Sequence, residues 1–127
     1  QSLVTDTESY YQRLHDVVYV ASPYTHESYI LRDLRAQAAI KYAAKLCKEG
    51  VICFCPIGHS HPFEPYRVPQ DFEFWKRFNQ PFLDLCTEMH VLMLWGWEES
   101  KGLAYEIENF QGASKKISYV DPDAKQL

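Results

Sequence analysis

The sequence predicts an α/β fold in which helices cover both faces of a parallel sheet. Short apolar runs, each broken by Gly or Pro as buried strands often are, alternate along the chain with segments of a different pattern. In those segments apolar residues recur every three or four positions, as in amphipathic helices. Strands and helices that alternate in this way form right-handed crossovers, which place successive strands parallel in one sheet.

The first fifty residues contain one predicted strand and one long predicted helix. Residues 1–15 are polar and are expected to form an N-terminal appendage with a short helix. The apolar run 17–21 predicts a buried strand, which Ser22-Pro23 ends. Residues 29–48 have apolar side chains at helical spacing and predict an amphipathic helix, for which Gly50 provides the C-terminal cap.

The middle of the chain predicts a strand, a long loop and a helix. Residues 51–55 form a short apolar strand, which Pro56 stops. Residues 56–70 are rich in Pro, Gly and His, and we expect a loop, which at this length is usually functional or mobile. A helix is predicted from about residue 70 to 86, with Pro81 kinking or dividing it.

The last third contains the most informative stretch. Residues 91–95 are apolar without alternation, which predicts a buried strand that breaks at Gly96. A Ser-x-Gly turn then leads into a helix from about residue 102 to 110. Residues 116–120 predict a final strand.

Size and charge limit the classes of function. A chain of 127 residues with 46% hydrophobic and 15% aromatic residues predicts a single globular domain over residues 1–127. A net charge of -4 argues against binding duplex nucleic acid, which normally requires a basic face. The absence of a bilayer-length apolar run and of a signal-peptide pattern predicts a cytoplasmic protein without a membrane partner.

The four cysteines do not follow a metal-binding or disulfide pattern. They are Cys47, Cys53, Cys55 and Cys86, and none forms a CxxC pair. We expect Cys53 and Cys55 to point to one face of a strand. All four are expected to be small buried side chains in a reducing cytosol.

Three loops are expected to form a ligand-binding crevice. In a parallel sheet ligands bind at the carboxyl ends of the strands. The segments that follow three of the predicted strands, Ser22–Thr25, Pro56–His61 and Gly96–Gly102, therefore gather at one edge. Ser100 and Gly102 belong to the turn that opens a helix, where a hydroxyl and free N–H groups can hold a phosphate.

These loops carry a family resemblance. The segments Val18–Tyr24, Cys55–Pro62 and Gly96–Glu106 resemble those of the nucleoside 2-deoxyribosyltransferase-like superfamily, most closely a small bacterial and phage branch of unknown function. The resemblance implies a flavodoxin-like, or Rossmann-like, three-layer sandwich with four to five parallel strands. It also implies an enzyme, similar to 2′-deoxynucleoside 5′-monophosphate N-glycosidases, that cleaves or transfers at an N-glycosidic bond without a cofactor. A homodimer is expected because related proteins complete their pocket with a neighbouring subunit.

The resemblance also implies roles for individual residues. Glu106 matches the family's nucleophile, and Ser100 matches a serine that contacts the 5′-phosphate. Tyr24 matches a position beside the sugar or the base. His59 and His61 fall where relatives line the pocket with loop residues.

The chain departs from the family pattern at one position. The superfamily usually has an aspartate on the helix before the third strand, but the gap-free register places Phe82 there. Asn79 lies one turn earlier and Asp84 two residues later, and Asp84 is the more plausible acid. The donor that protonates the leaving base stays open among four side chains: Asp71, Asp84, His59 and His61.

Several of these residues also have structural interpretations. Ser100 suits a helix N-cap, and Glu106 could be a solvated helix residue. Trp97 is the better candidate for stacking on a base because it lies in the loop itself. His59 and His61 form an H-x-H pattern, but no third residue has the spacing of a metal ligand. Arg32 and Arg35 could reach a phosphate, although a solvated helical face is commoner.

The leading hypothesis is therefore an enzyme that hydrolyses or transfers the base of a small nucleotide or nucleoside through Glu106. One alternative is a non-catalytic nucleotide or nucleotide-sugar sensor on the same scaffold, suggested by the missing aspartate. Another is a flavodoxin-like electron carrier. The Ser22-Pro23-Tyr24 loop argues against this alternative, because it is poor in the Gly and Thr residues that hold a flavin phosphate.

Overall fold

A computed structural model describes residues 15–122 as a four-stranded parallel sheet between two layers of helices. The strands are β1 (Val18–Ala21), β2 (Cys53–Phe54), β3 (Glu88–Leu92) and β4 (Lys116–Val120). They pair in the order β2-β1-β3-β4. The predicted α/β class and flavodoxin-like layering are confirmed. The short helix expected in the N-terminal appendage falls on residues outside the described part.

The helices cover more of the middle of the chain than the sequence predicted. The α-helices are α1 (Tyr29–Lys48), α2 (Pro56–Ser60), α3 (Phe72–Leu85) and α4 (Lys101–Gly112), with 3-10 helices at His61–Tyr66 and Trp97–Glu99. The long loop expected over residues 56–70 is wrong, since residues 56–66 are helical. Prolines begin both of these short helices, where their fixed φ is compatible with helix and no N–H is lost. None of the described helices is long and apolar enough to cross a bilayer.

Two other boundaries differ from the expectation. Helix α3 continues through Pro81 as one element, so the chain is not divided there. Strand β3 begins at Glu88 and ends at Leu92, three residues earlier than the apolar run at each end. Its polar first residues are included because β3 is central and pairs along its length with β1 on one side and β4 on the other.

The two faces of the sheet bury separate apolar clusters. Tyr19 and Ala21 of β1 pack with residues of α3 and α4, including Leu83, Leu103 and Phe110. The alternate β1 residues pack on the other face against α1, in the cluster Val18, Val20, Ala38, Ala39, Leu46, Leu92 and Leu94. Because successive strand residues point to opposite faces, Tyr19 is directed towards the α3–α4 layer.

The strand order defines where a ligand is expected. The chain moves from β1 to one edge strand, β2, and then crosses to β3 on the other side of β1. In open α/β sheets, ligands bind where the order reverses, at the carboxyl ends of the two strands. Here that point lies between β1 and β3.

The cysteines are less uniformly buried than expected. Cys86 is fully buried, Cys53 and Cys55 are partly buried, and Cys47 is exposed. Cys53 and Cys55 both pack against the cluster beneath α1, so the prediction that they share a face is confirmed. Cys47 contradicts the expectation because it lies on the solvent side of the last turn of α1, where the neighbouring Leu46 is the buried residue.

Candidate functional site

The candidate site centres on a contact between Glu106 and Tyr19. Glu106 lies in the second turn of α4, and the hydroxyl of Tyr19 donates a hydrogen bond to its Oε2 atom. Tyr19 is fully buried in the middle of β1, whereas Glu106 is only partly buried. The contact therefore joins β1 to α4 beside the β1–β3 switch point.

Burial changes the acidity of both groups. Loss of solvent raises the pKa of Glu106 to about 7, and the hydrogen bond from Tyr19 acts in the opposite direction. Burial, and after it the charge of Glu106, raises the pKa of Tyr19 well above its usual value. Tyr19 therefore stays a protonated donor, while the charge of Glu106 changes near neutral pH.

An aromatic wall lies beside Tyr19. The rings of Phe54 and Phe82 stack with centroids 4.2 Å apart, and the Phe54 ring lies 6.2 Å from that of Tyr19. His59 is exposed and extends this wall, with its ring 6.1 Å from both Phe54 and Phe78. Phe82, which stands where the resemblance predicts an aspartate, is thus an aromatic side chain packed in this wall, and it supplies no acid.

His61 belongs to a separate, partly buried network. Its Nδ1 atom lies 2.7 Å from the hydroxyl of Tyr24, and its Nε2 atom lies 2.9 Å from Oδ1 of Asp33. The Tyr24 hydroxyl also donates to Glu64, whose carboxylate accepts two hydrogen bonds from Arg32, at 2.9 and 3.1 Å. Arg32 is the largest cause of a lowered pKa of Glu64.

The contacts of this network decide what His61 can do. The lowered pKa of Glu64 keeps its carboxylate an acceptor, and the Tyr24 hydroxyl donates to it. The oxygen of the same hydroxyl lies against Nδ1 of His61. Because Nε2 is bound to Asp33, both ring nitrogens are engaged and neither is available to a leaving base.

Arg32 also connects two of the three predicted loops. Besides binding Glu64 after the second loop, its guanidinium donates to the carbonyl oxygens of His26 and Glu27, at 2.6 and 3.0 Å. These oxygens belong to the segment between β1 and α1. Arg32 is therefore an internal brace, and the alternative that it reaches a phosphate is not supported.

Arg35, one turn further along α1, connects the first loop to the third. It donates to the carbonyl oxygens of Thr25 and Trp95, each at 2.9 Å. Gly96 follows in the left-handed region at φ 83°, and a Cβ there would meet Nη2 of Arg35 at 3.0 Å. With the Tyr24–His61 bond, these contacts confirm that the three loops gather at one edge of the sheet.

Ser100 and Gly102 open α4. Ser100 is the N-cap, and its Oγ accepts from the backbone N–H of Leu103 at 3.2 Å. A Cβ added to Gly102 would meet nothing within 4 Å, so the first turn of α4 is open on that side. The capping role of Ser100 is confirmed, while a phosphate contact stays a prediction.

Three other residues occupy different surroundings from those expected. Trp97 packs against the α4-side core with its ring 5.7 Å from Tyr119, so it is not a free platform for a base. Tyr24 lies beyond the end of β1, and its hydroxyl is used within the His61 network. Ser22 is buried, and its hydroxyl has no hydrogen-bond partner among the described residues.

Asp84 is not brought to Glu106. It is exposed near the end of α3 and accepts a hydrogen bond from Gln80 at 2.8 Å. Its carbonyl oxygen accepts a hydrogen bond from Nζ of Lys115 at 3.0 Å, and Lys115 directly precedes β4. Asp84 therefore lies near the amino end of β4, whereas ligands are expected at the carboxyl ends of the strands. No described contact joins Asp84 to Glu106, so these contacts do not support its catalytic role, which stays a prediction.

Asp71 has a capping role. Its carboxylate accepts from the N–H of Phe74 at 3.1 Å and begins α3. It also lines an open groove of about 620 Å³ that includes Tyr105 and not Glu106. Among residues 15–122, His, Cys, Asp and Glu side chains do not gather in threes as a metal ion would need.

Tyr19 is the site residue that sequence reasoning missed. The signal was present in the strand alternation, which places Tyr19 on the face opposite to the helix that follows β1. If the helix that carries Glu106 is placed on that same face of the sheet, Tyr19 and Glu106 are expected to lie close together. The resemblance instead pointed to Tyr24, which lies beyond the end of the strand.

The comparison with known families agrees with the extent of this fold. The model of one family, described as a domain of unknown function (DUF1937), matches residues 16–121, which include every described strand and helix. The chain has no significant match among curated proteins.

The raised pKa of Glu106 predicts a pH-dependent gain in stability for Glu106→Gln. The folded protein binds this proton more tightly than the unfolded chain, so the native protein loses stability as pH rises from about 4.5 to about 7. The variant should unfold with a free energy roughly 1–3 kcal/mol higher at about pH 8, and similar near pH 4. Urea unfolding at both pH values measures this.

Glu108→Gln is the matched control, since Glu108 is exposed on the same helix. Its unfolding free energy should follow that of the native protein at both pH values. An E106Q variant that is no more stable than native at the higher pH would mean that the fold does not desolvate this carboxylate.

Proposed function

The chain belongs to the DUF1937 family, and we propose that it cleaves or transfers at the N-glycosidic bond of a small (2′-deoxy)nucleoside 5′-monophosphate or nucleoside. The observation that supports this most is the partly buried Glu106 carboxylate, bound by Tyr19 beside the β1–β3 switch point. The likeness to the nucleoside 2-deoxyribosyltransferase-like superfamily supports the same activity, since Glu106 matches its nucleophile.

In the proposed reaction Glu106 attacks C1′ of the bound sugar as the bond to the base breaks. Positive charge develops on the sugar ring, and an anion beneath it stabilises the transition state. A glycosyl ester then links Glu106 to C1′, and the base leaves with a proton. Water completes hydrolysis of the ester, or an acceptor base completes a transfer.

Tyr19 acts as a positioning residue for the nucleophile. Its hydroxyl holds Oε2 of Glu106, which leaves Oε1 as the attacking oxygen. The bond also favours the charged carboxylate, against a desolvation that favours the neutral acid. Together these effects give a strongly basic carboxylate that is ionised above about pH 7.

His59 is the proposed donor to the leaving base. Of the four candidates, Asp84 is exposed and bound to Gln80, Asp71 caps α3, and His61 has both ring nitrogens engaged. His59 is exposed, and its ring contacts Phe54, which in turn contacts Tyr19. The aromatic wall between them offers a face on which a base can stack.

The start of α4 is the proposed phosphate subsite. Its dipole and first N–H groups favour an anion, and the Ser100 hydroxyl lies at the same point. Because Ser100 caps Leu103 in the described structure, phosphate and cap compete for it. The homodimer implied by the resemblance is part of this proposal, with a neighbouring subunit completing the pocket.

A non-catalytic nucleotide sensor is the second candidate. It is favoured by the aromatic Phe82 at the family's aspartate position and by the solvent-facing Asp84, which leave no second carboxylate paired with Glu106 among the described contacts. Calorimetry that finds tight binding of a deoxynucleotide, with no free base after hours, would favour the sensor.

Base release should depend on Glu106 and on its charge. Incubating the protein with 5′-monophosphates of the common deoxynucleosides should release free base, measured by chromatography. Glu106→Gln should lower the rate by orders of magnitude, and Glu108→Gln should leave it unchanged. Since the nucleophile must be ionised, kcat/KM should fall about tenfold per pH unit below about pH 7.

Tyr19→Phe provides a readout that loss of fold would not imitate. Removing the hydroxyl removes the contact that lowers the pKa of Glu106, so the acidic limb of the kcat/KM profile should move to higher pH. Undiminished base release by E106Q, or activity that rises as pH falls below 7, would rule out Glu106 as an ionised nucleophile.

Gly102→Ala tests the phosphate subsite separately from the chemistry. The added methyl meets nothing in the described structure, and Ala is favoured over Gly within a helix by roughly 0.5–1 kcal/mol, so thermal stability should not fall. A phosphate seated there would be displaced. The Michaelis constant should rise for the 5′-monophosphate and stay the same for the nucleoside. Equal effects on both substrates would place the phosphate elsewhere.

A further inference from the structure

Two cysteine sulfur atoms lie close together at the opposite end of α1 from the candidate site. Cys47 is in the last turn of α1 and Cys53 is the first residue of β2. Their Sγ atoms are 3.8 Å apart. The chain between them turns through Gly50, whose positive φ of 83° reverses its direction.

The two thiols differ in their surroundings. Cys47 is exposed, so a small solute reaches its sulfur directly. Cys53 is partly buried, and its Sγ donates to the carbonyl oxygen of Ala43 at 3.6 Å. Burial, and then the neighbouring Cys47, raises the pKa of Cys53 to about 11, which keeps it a thiol at neutral pH. Cys47 is therefore the sulfur that an oxidant meets first.

We propose that Cys47 and Cys53 form an oxidisable pair that a peroxide converts into an intramolecular disulfide. The glycosidic chemistry proposed above uses neither thiol, so this modification site is independent of it. Cys55 and Cys86 are excluded as the first target by their partial and complete burial.

The reaction proceeds in two balanced steps. The sulfur of Cys47 attacks one peroxide oxygen, the O–O bond breaks, and a sulfenic acid and one water form. The sulfur of Cys53 then attacks the Cys47 sulfur, and the S–O bond breaks. The departing hydroxide takes the thiol proton of Cys53 and leaves as a second water, so two thiols and one peroxide yield one disulfide.

The geometry allows this bond with a small movement. A disulfide needs its sulfur atoms about 2.05 Å apart, and the exposed Cys47 side chain can rotate towards the more confined Cys53. The bond would fasten β2 to α1. Strand β2 has two residues and lies at the sheet edge, where Phe54 pairs with Tyr19 of β1. Oxidation should therefore raise the thermal midpoint, reversibly by a dithiol reductant.

Intact mass measurement after oxidation tests the pair. The reduced protein is treated with a small excess of hydrogen peroxide, and the remaining thiols are then alkylated with iodoacetamide in urea without reduction, so that the buried Cys86 also reacts. Two of the four cysteines should escape alkylation. Before alkylation, the oxidised protein should be lighter than the reduced protein by two hydrogens and should carry no added oxygen. Trypsin should then yield residues 46–48 joined through sulfur to residues 49–67, which contain Cys53 and Cys55.

Variants separate this pairing from other outcomes. Cys47→Ser, an exposed substitution, should be alkylated at all three remaining cysteines after peroxide, whereas Cys55→Ser should still form the linked peptides. Circular dichroism shows whether each variant is folded. Protection of two cysteines in C47S, loss of the linkage in C55S, a disulfide between two chains, or oxygen added without a linkage would each overturn the proposal.

Discussion

The candidate site depends on one hydrogen bond, which the buried phenol of Tyr19 donates to the partly desolvated carboxylate of Glu106. Tyr19 and Glu106 are 87 residues apart in sequence. They meet because the Tyr19 side chain points to the face of the sheet that α4 covers. Desolvation brings the pKa of Glu106 to about 7, and the phenol limits that rise. The folded protein therefore contains a carboxylate whose charged form is destabilised by burial.

The surroundings of this contact are held by side chains of α1. Arg32 and Arg35 lie on one side of the helix and bind backbone oxygens or carboxylates of all three loops at the carboxyl edge. Because the two guanidinium groups bind these oxygens, they hold the loop segments at this edge in position relative to α1. Several polar side chains that the sequence suggested as ligand contacts instead bind one another and hold these loops, as in the network of His61, Tyr24 and Glu64.

Local patterns in the sequence predicted the elements well and the polar contacts poorly. Helix α1 and strand β4 have the predicted bounds because helical spacing and an apolar run are both local signals. The helices over residues 56–66 were missed because prolines usually mark loops, although they also begin helices. The surroundings of Asp84 and Trp97 could not be predicted because spacing along the chain does not determine which face of an element meets solvent. To predict the role of Tyr19, one must know which face of the sheet its side chain points to and which helix covers that face, and the second of these depends on the tertiary fold.

Trapping the reaction on the protein tests the central claim most directly. The native chain is mixed with a 2′-deoxynucleoside 5′-monophosphate, quenched in acid within the first turnover and digested for peptide mass spectrometry. The account predicts a deoxyribose 5-phosphate adduct on the peptide that contains Glu106, located at that residue by fragmentation and absent from E106Q. Release of free base with the adduct on another side chain, or an adduct that persists in E106Q, would contradict it.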